Sequence, residues 1–274
     1  MASLAPLSGN LGQKRAAHLL RRTAFNFTKT KVDSLAAMTA SAAANQMLVQ
    51  KPLWHDQPWW VDTATPTAPA QTFCLPYTTA LPTSDFIFIP YVMGWWAHEA
   101  FRDTGIGHKM ELFLHQNSIV NANTFGTQYL FDYMQLLRFY ALGNYKKFAT
   151  KLVTDNTMLV YLNNNSNSAT NPNENFAREF FELFTIGKGP EIAPGNYTNY
   201  TEDDIVAAAR LLTGFRVTYR SNYAANLDPD TGILRGYAKI SSHDKNPKAF
   251  SSASVGRRKV TFIRLRQSAS AWPR

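Results

Sequence analysis

The stretch NENFAREFFELFTIG, residues 173–187, mixes charged and aromatic side chains with the period of an α-helix. At about 100° per residue its charged side chains share one arc, and the phenylalanines with Leu183 fill the remaining arc. Gly187 directly follows the last periodic residue, and glycine is a usual helix stop. The stretch therefore predicts a helix over 175–186 with one polar face and one apolar face.

The charged residues of this predicted helix are spaced for ion pairing. Glu174, Arg178 and Glu182 follow one another at intervals of four residues, and such pairs stabilise an exposed helix by about 0.2–0.5 kcal/mol each. A group of carboxylates around one guanidinium is also suited to acid–base or metal chemistry. The spacing alone favours the structural interpretation, in which this is a solvated, salt-bridged face.

Helical periodicity continues on both sides of this stretch. It predicts helices over residues 13–23, 28–49, 91–101, 107–120, 128–142, 145–161 and 201–214. The last of these begins with a capping box formed by Thr201 and Asp204. Residues 217–240 are rich in turn residues and suit a short hairpin. Because strands and helices do not alternate, the sequence predicts an all-α, irregular multi-helix domain.

Residues 52–90 interrupt the helical pattern. They hold seven of the 14 prolines together with Trp54, Trp59 and Trp60. Proline removes a backbone donor from helix interiors, so the pattern predicts an extended, Pro/Trp-rich excursion. Its default role is structural packing on the helical body, and a cover that faces substrate is the functional alternative.

The charge distribution suggests a domain boundary near the end of the chain. Lys and Arg total 28 against 19 Asp and Glu, a net charge of +9, and residues 256–274 contain six bases and no acid. The preceding 255 residues carry a net charge of only +3. The sequence thus predicts a single helical domain over 1–255, truncated on its C-terminal side, and a basic tail over 256–274 that is not native to it. Without Arg/Gly repeats or an aromatic–basic platform, nucleic-acid binding is not expected.

Several function classes lack their sequence signatures. The single cysteine, Cys74, excludes a disulfide framework and any multi-cysteine metal site. No run of 18 apolar residues predicts a membrane span. Residues 1–12 have neither the basic start nor the apolar run of an export signal, so the sequence assigns no compartment. It also contains no P-loop, GxGxxG or GxSxG motif, and it names no partner or reaction.

Two segments that contain histidine are further candidates for metal binding or catalysis. His108, Glu111 and His115 share one face of the predicted helix 107–120, and two histidines with one carboxylate are typical zinc ligands. Their spacing is not that of the HExxH motif, which favours histidines satisfied within the fold. His243 and Asp244 form a dipeptide that suits a ligand pair or a catalytic dyad, although such dipeptides are common by chance.

The Asn-rich segment 163–174 has the length of a calcium-binding loop. Asn163, Asn165, Asn167 and Glu174 occupy positions one, three, five and twelve of such a loop. Position one lacks the usual Asp, and Ser168 stands at position six, where glycine is needed. Because Asn and Ser favour turns and helix caps, a turn is the stronger interpretation.

Several segments together resemble a bacterial family known only as domain of unknown function 1800. They are AAHLLRRTAF (16–25), KMELFLHQN (109–117), MLVYLN (158–163), PNENFAREFFELFTIG (172–187), YTEDDI (200–205), ARLLTGF (209–215) and His243-Asp244 with Lys248. The resemblance covers residues 14–253, and its Asn-Glu-Asn block is highly specific. Asn26 and Asn163 depart from the family pattern, and Asn117 and Ser118 stand where the second histidine of a His-Asn-His segment would fall.

The resemblance implies a helical, often exported bacterial protein of unstated activity. It supports a set of candidate catalytic residues: His115, Glu174, Arg178, Glu179, Glu182, His243 and Asp244. Of these, His115, Glu174 and Glu179 are the candidate ligands of a divalent metal, the one cofactor class that the sequence suggests. Two functions stay open, a metal-assisted enzyme and a non-catalytic binding or assembly protein whose Asn/Glu/Arg block is structural.

Overall fold

The computed structural model describes residues 7–51, 53, 59–60, 71–72, 89–121, 126–219 and 226–251. Within these ranges the helices are α1 (Gly12–Thr23), α2 (Lys29–Ala36), α3 (Ala40–Met47), α4 (Ile89–Arg102), α5 (Gly107–Asn117), α6 (Thr127–Tyr140), α7 (Tyr145–Leu152), α8 (Asn156–Tyr161), α9 (Glu174–Glu179) and α10 (Glu202–Leu211). A π-helix over Phe180–Phe184 continues α9, and single 3-10 turns lie at Asn164–Ser166 and Ile240–Ser242.

Short antiparallel strand pairs accompany the helices. They are β1 (Trp59–Trp60) with β2 (Gln71–Thr72), β3 (Glu191–Ala193) with β4 (Asn196–Tyr197), and β5 (Phe215–Arg216) with β6 (Tyr237–Ala238). β5 directly precedes the turn-rich segment 217–240, in which a hairpin is predicted, and β6 lies near the end of that segment. The fold is therefore mostly helical, and the stricter prediction of an all-α fold is too narrow.

Two predicted helices are each divided by a capping residue. The helix predicted over 28–49 breaks at Thr39, whose side chain accepts a hydrogen bond from the Ala42 N–H and begins α3. The helix predicted over 145–161 breaks at Asp155, which accepts from the Met158 N–H and begins α8. Ser, Thr, Asp and Asn favour such caps because they satisfy backbone donors that a helix start leaves open. Apolar periodicity runs through both breaks and conceals them.

The Pro/Trp-rich excursion predicted over 52–90 lies largely outside the described residues. Only residue 53, β1, β2 and the first two residues of α4 fall within them. The basic tail 256–274 lies wholly outside them. Among the described helices, none is both long and apolar enough to cross a membrane.

Within the described part of the chain, the buried apolar side chains form two cores. The smaller core joins α1, α2 and α3 through buried residues such as Leu20, Leu35 and Met47. The larger core surrounds α6, which is buried on almost every side and contributes Tyr133 and Leu137. Burial of such side chains stabilises a fold by about 1.5–3 kcal/mol each. The two cores set the framework on which the charged residues are placed.

Polar contacts join the two cores. The Ile106 N–H donates a hydrogen bond to the Met47 carbonyl, with N and O 3.2 Å apart. The Lys51 ammonium lies 2.8 Å from a carboxylate oxygen of Asp103, whose side chain is buried. The segment after α3 is thereby fixed to the start of α5.

Candidate functional site

Arg178 is the centre of a half-exposed charged cluster formed by α9, the π-helix and α10. Its Nη1 and Nη2 donate to Oε1 and Oε2 of Glu202 at 2.8 and 2.9 Å, a bidentate pair. Nη2 also lies 3.4 Å from Glu174, and Nη1 lies 3.9 Å from Glu182. The Glu174 and Glu182 contacts agree with the predicted four-residue spacing, whereas the stronger pair with Glu202 spans 24 residues and was not predicted.

The π-helix determines where Glu182 lies. At its end the N–H groups of Ile186 and Gly187 both donate to the Phe181 carbonyl, which widens the last turn. Glu182 accepts a hydrogen bond from the Tyr200 hydroxyl and lies 3.6 Å from the Lys188 ammonium. Short π-helical segments occur often at functional sites, so this turn is a candidate position for a functional residue.

The hydrogen bond between Arg178 and Glu202 stabilises the charged forms of both side chains. The hydrogen bond to Glu202 raises the pKa of Arg178, and the same bond lowers the pKa of Glu202. Burial, followed by the contact with Glu182, raises the pKa of the Tyr200 hydroxyl. At neutral pH the cluster is therefore a salt bridge with a neutral tyrosine, not a store of transferable protons.

Asn164 and Asn167 hold the Asn-rich loop against α10. Both are fully buried. The Asn167 amide donates to the Ala209 carbonyl at 3.0 Å and to Asn164 Oδ1 at 2.9 Å, while its own oxygen accepts from the Asn173 N–H at 2.9 Å. Asn164 Nδ2 donates to the Leu212 carbonyl. These two buried side chains satisfy their polar atoms within the protein, as buried polar groups require, although most of the loop around them is exposed.

The calcium interpretation of this loop is wrong. The oxygens of Asn165 and Asn167 accept hydrogen bonds from the backbone N–H groups of Val217 and Asn173, so neither points to a common ion. Glu174, the candidate at position twelve, pairs with Arg178. The loop instead borders an open polar recess of about 450 Å³, which is lined by Ser166, Asn171, Pro172, Asn173, Glu174 and Asn175.

His115 lies apart from the Arg178 cluster, on α5 against α6. Its Nδ1 is 3.3 Å from the Tyr133 hydroxyl, which donates its proton to the Ser118 carbonyl at 2.7 Å. His115 Nδ1 must therefore carry the proton, and Nε2 keeps its lone pair. Burial lowers the pKa of His115, so the imidazole is neutral at pH 7. A neutral, oriented imidazole can act as a base or as a metal ligand.

His243 and Asp244 lie at the C-terminal end of α10. His243 Nδ1 is 2.8 Å from the Thr213 carbonyl, so this nitrogen carries the proton. Asp244 accepts from Arg210 Nε at 2.7 Å, and buried Lys248 donates to the Asp244 carbonyl. Asp244 is thereby an anchor between α10 and the following segment.

The backbone at Gly214, next to this anchor, requires a glycine. Its φ is +86°, and a Cβ at this position would lie 2.9 Å from the Lys239 carbonyl and 3.0 Å from the His243 nitrogen. Its N–H donates to the Asn167 carbonyl, and its carbonyl accepts from the Lys239 N–H. A side chain here would be strained and would push the Asn loop away from the His243 segment.

Sequence reasoning missed a buried charged network around His108. His108 Nδ1 is 2.8 Å from Asp103, and Arg138 Nη1 lies 3.3 Å from His108 Nε2 and 3.1 Å from Glu111. Trp96 Nε1 completes the network by donating to Glu111 at 2.9 Å. Because guanidinium nitrogens cannot accept, His108 Nε2 accepts and Nδ1 donates. The lone pairs that would bind a metal at His108 and Glu111 are therefore committed to protein donors.

In this network, burial and contacts with neighbouring groups shift the pKa values of the charged side chains in opposite directions. Burial acts to raise the pKa of Asp103, but hydrogen bonds from His108, Lys51 and the Gly105 N–H outweigh it and hold that pKa well below its usual value. Burial lowers the pKa of Arg138, against the opposing attraction of Glu111. The sequence indicates only that His108 and Glu111 share a face of α5. It does not indicate their partner Arg138, because that residue lies on α6.

The predicted catalytic residues occupy three separate sets of contacts. His115 contacts Tyr133, the Glu174–Arg178–Glu182 group contacts Glu202, and Asp244 contacts Arg210. Glu179 is half-buried and makes no ion pair with any described residue. Over the described ranges no three His, Cys, Asp or Glu side chains are grouped to hold a metal ion. The candidate ligands His115, Glu174 and Glu179 are accordingly not brought together.

The chain matches the model of a protein family. The model for "Protein of unknown function (DUF1800)" matches residues 18–262. The chain belongs to the DUF1800 family. The match covers the Asn-rich loop, the Arg178 cluster and the His243–Asp244 segment, and it extends seven residues beyond the boundary predicted at residue 255. No curated protein and no solved structure matches the chain.

Proposed function

We propose that this DUF1800 protein is a non-catalytic binding or assembly protein whose Asn/Glu/Arg block is structural. The observation that carries the proposal is the use of the block's polar atoms within the chain. Arg178 commits two N–H groups to Glu202, and Asn167 commits its whole amide to three groups of the loop and α10. Groups used in this way hold helices together and are not available to a substrate.

The distribution of the candidate residues supports the same proposal. Acid–base and metal chemistry need groups that lie within hydrogen-bond reach of one reacting atom. His115, Arg178 and Asp244 each have a partner on a different element, and each partnership joins two segments of the fold. Three structural contacts account for them without a shared substrate.

A metal-assisted enzyme is the second candidate, and one observation favours it. His115 presents Nε2 as a lone pair while Tyr133, anchored on the Ser118 carbonyl, fixes the ring. Metal-ligating histidines are commonly oriented through their second nitrogen in this way. Any metal at this position would need ligands besides the predicted Glu174 and Glu179.

Metal analysis of the protein, with His115→Ala and His18→Ala as a matched pair, tests the two candidates. His18 is an exposed histidine on α1 and serves as the control. The proposal predicts no stoichiometric metal after dialysis and an unchanged melting curve after treatment with a chelator. A stoichiometric metal that is retained by wild type and His18→Ala but lost from His115→Ala would contradict it.

A further inference from the structure

We infer that the exposed face of α1 binds the surface of an anionic phospholipid bilayer. The inference gives a partner to the binding function proposed above and rests on that proposal. It starts from the side chains of one helix face. Lys14, Arg15, His18, Arg21 and Arg22 are all exposed, and at 100° per residue they lie within about 120° of one another.

The charge of this region distinguishes it from the rest of the domain. Residues 1–51 contain seven Lys or Arg and one acid, a net charge of +6, whereas residues 52–255 contain 15 bases and 18 acids, a net charge of −3. The single acid, Asp33, is engaged by Lys29 at 2.7 Å and by Gln13 at 2.8 Å. The basic character therefore belongs to the N-terminal helices as well as to the tail.

The cations of α1 lack the partners that other basic residues have. Arg138, Arg178 and Arg210 each pair with a carboxylate. Within the described residues, neither the four Lys and Arg side chains of the α1 face nor His18 forms an ion pair or a side-chain hydrogen bond. A row of uncompensated cations attracts a polyanion over a distance of about one Debye length, roughly 8–10 Å at physiological salt.

Aromatic groups at the end of the row favour a bilayer as the partner. Phe101 is 56% exposed, and its ring centroid lies 6.2 Å from that of Phe25, which directly follows α1. The Lys109 ammonium stands 4.4 Å from the Phe25 ring centre, and Arg102 is exposed beside Phe101. Basic side chains next to an exposed aromatic are typical of surfaces that contact lipid headgroups.

The opposite face of α1 limits how this surface can bind. Ala16 and Leu20 are fully buried in the smaller core, so the helix cannot turn its apolar side into the bilayer. Binding would be electrostatic, with the helix lying along the headgroups. It would depend on anionic lipid and weaken as salt increases.

Co-sedimentation of the full chain with phospholipid vesicles tests the inference. Wild type should bind phosphatidylcholine vesicles that contain phosphatidylserine, bind pure phosphatidylcholine weakly, and lose binding at high salt. The triple variant Arg15→Gln, Arg21→Gln, Arg22→Gln should lose roughly 100-fold in affinity, because each basic residue near the surface contributes about fivefold. A control with the same loss of charge, Lys146→Gln, Lys239→Gln, Lys245→Gln, removes exposed lysines elsewhere and should bind like wild type.

Several results would overturn the inference. Equal binding by the α1 variant and wild type would place the lipid contact elsewhere, including the six basic residues of 256–274. Tighter binding of duplex DNA than of anionic vesicles through the same arginines would make nucleic acid the partner. Melting curves of both variants establish that they are folded. Because the proposed structural role of the Asn/Glu/Arg block is tested by metal content and stability, the two proposals fail separately.

Discussion

Two clusters in this protein contain the same kinds of charged side chain in different surroundings. In the cluster of Asp103, His108, Glu111 and Arg138 all four residues are buried. In the second cluster, Arg178 and Glu202 have side chains that are 34% and 45% exposed. A buried ion pair is costly to break because the remaining charge loses its compensation, whereas an exposed pair contributes little. The two clusters should therefore respond very differently to the loss of their arginines.

Arg138→Met should have the largest effect on stability. It leaves Glu111 and the acceptor nitrogen of His108 buried without their donor, so unfolding should become easier by about 3–5 kcal/mol. Urea unfolding measures the change, with Arg22→Met as a control at an exposed, unpaired arginine. Adding Glu111→Gln should recover part of the loss. A wild-type unfolding curve for Arg138→Met would remove the distinction between the clusters.

Asp155 is a third case, a buried carboxylate that caps α8 and forms no salt bridge with any described residue. Burial raises the pKa of Asp155 to about 7, although the Met158 and Thr157 N–H groups oppose the rise. The folded state therefore holds this proton more tightly than the unfolded state. The stabilising contribution of the protonated Asp155 side chain is therefore fully present below about pH 4, and it is lost as the pH rises through about 7.

Asp155→Asn should remove this pH dependence while keeping an oxygen for the cap. We expect the variant to be more stable than wild type by about 4 kcal/mol at pH 8 and similar to it near pH 4, as measured by urea unfolding at both pH values. A difference that is the same at both pH values would show that Asp155 is not the group responsible.

Arg178→Met should have the smallest effect of the three arginine and carboxylate changes. Solvent screens the pair with Glu202, so a loss of about 1 kcal/mol, or about 2–4 °C in melting temperature, is expected. Arg178→Lys keeps the charge but not the bidentate geometry and should lie between Met and wild type. High salt should reduce the difference, and a loss as large as that of Arg138→Met would contradict the comparison.

Local pattern was sufficient to predict most of the helices. The capping box of Thr201 and Asp204 is present, and α1, α5 and α6 lie within a few residues of their predicted bounds. These features depend on contacts between residues that are close in sequence. The caps at Thr39 and Asp155 were missed because a short cap does not interrupt the surrounding apolar period.

Partners across the fold could not be predicted. Glu202 is 24 residues from Arg178, and Arg138 is 30 residues from His108. Helical spacing identifies residues that share a face but not the element that this face contacts. The net charge of the N-terminal helices is concealed for a different reason: a count over 255 residues combines a basic N-terminal region with an acidic remainder.

The Asn-rich loop uses its buried amides to hold the fold together. A comparison of Asn167→Ala with Asn171→Ala in thermal and urea unfolding tests this role most directly. Asn167 is fully buried and bonded to Ala209, Asn164 and Asn173, whereas Asn171 is exposed at the polar recess in the same loop. We predict a loss of about 2–3 kcal/mol for Asn167→Ala and less than about 0.5 kcal/mol for Asn171→Ala. Equal, small losses of stability at both positions would contradict the structural role of the loop. They would favour a role for the loop in ligand binding instead.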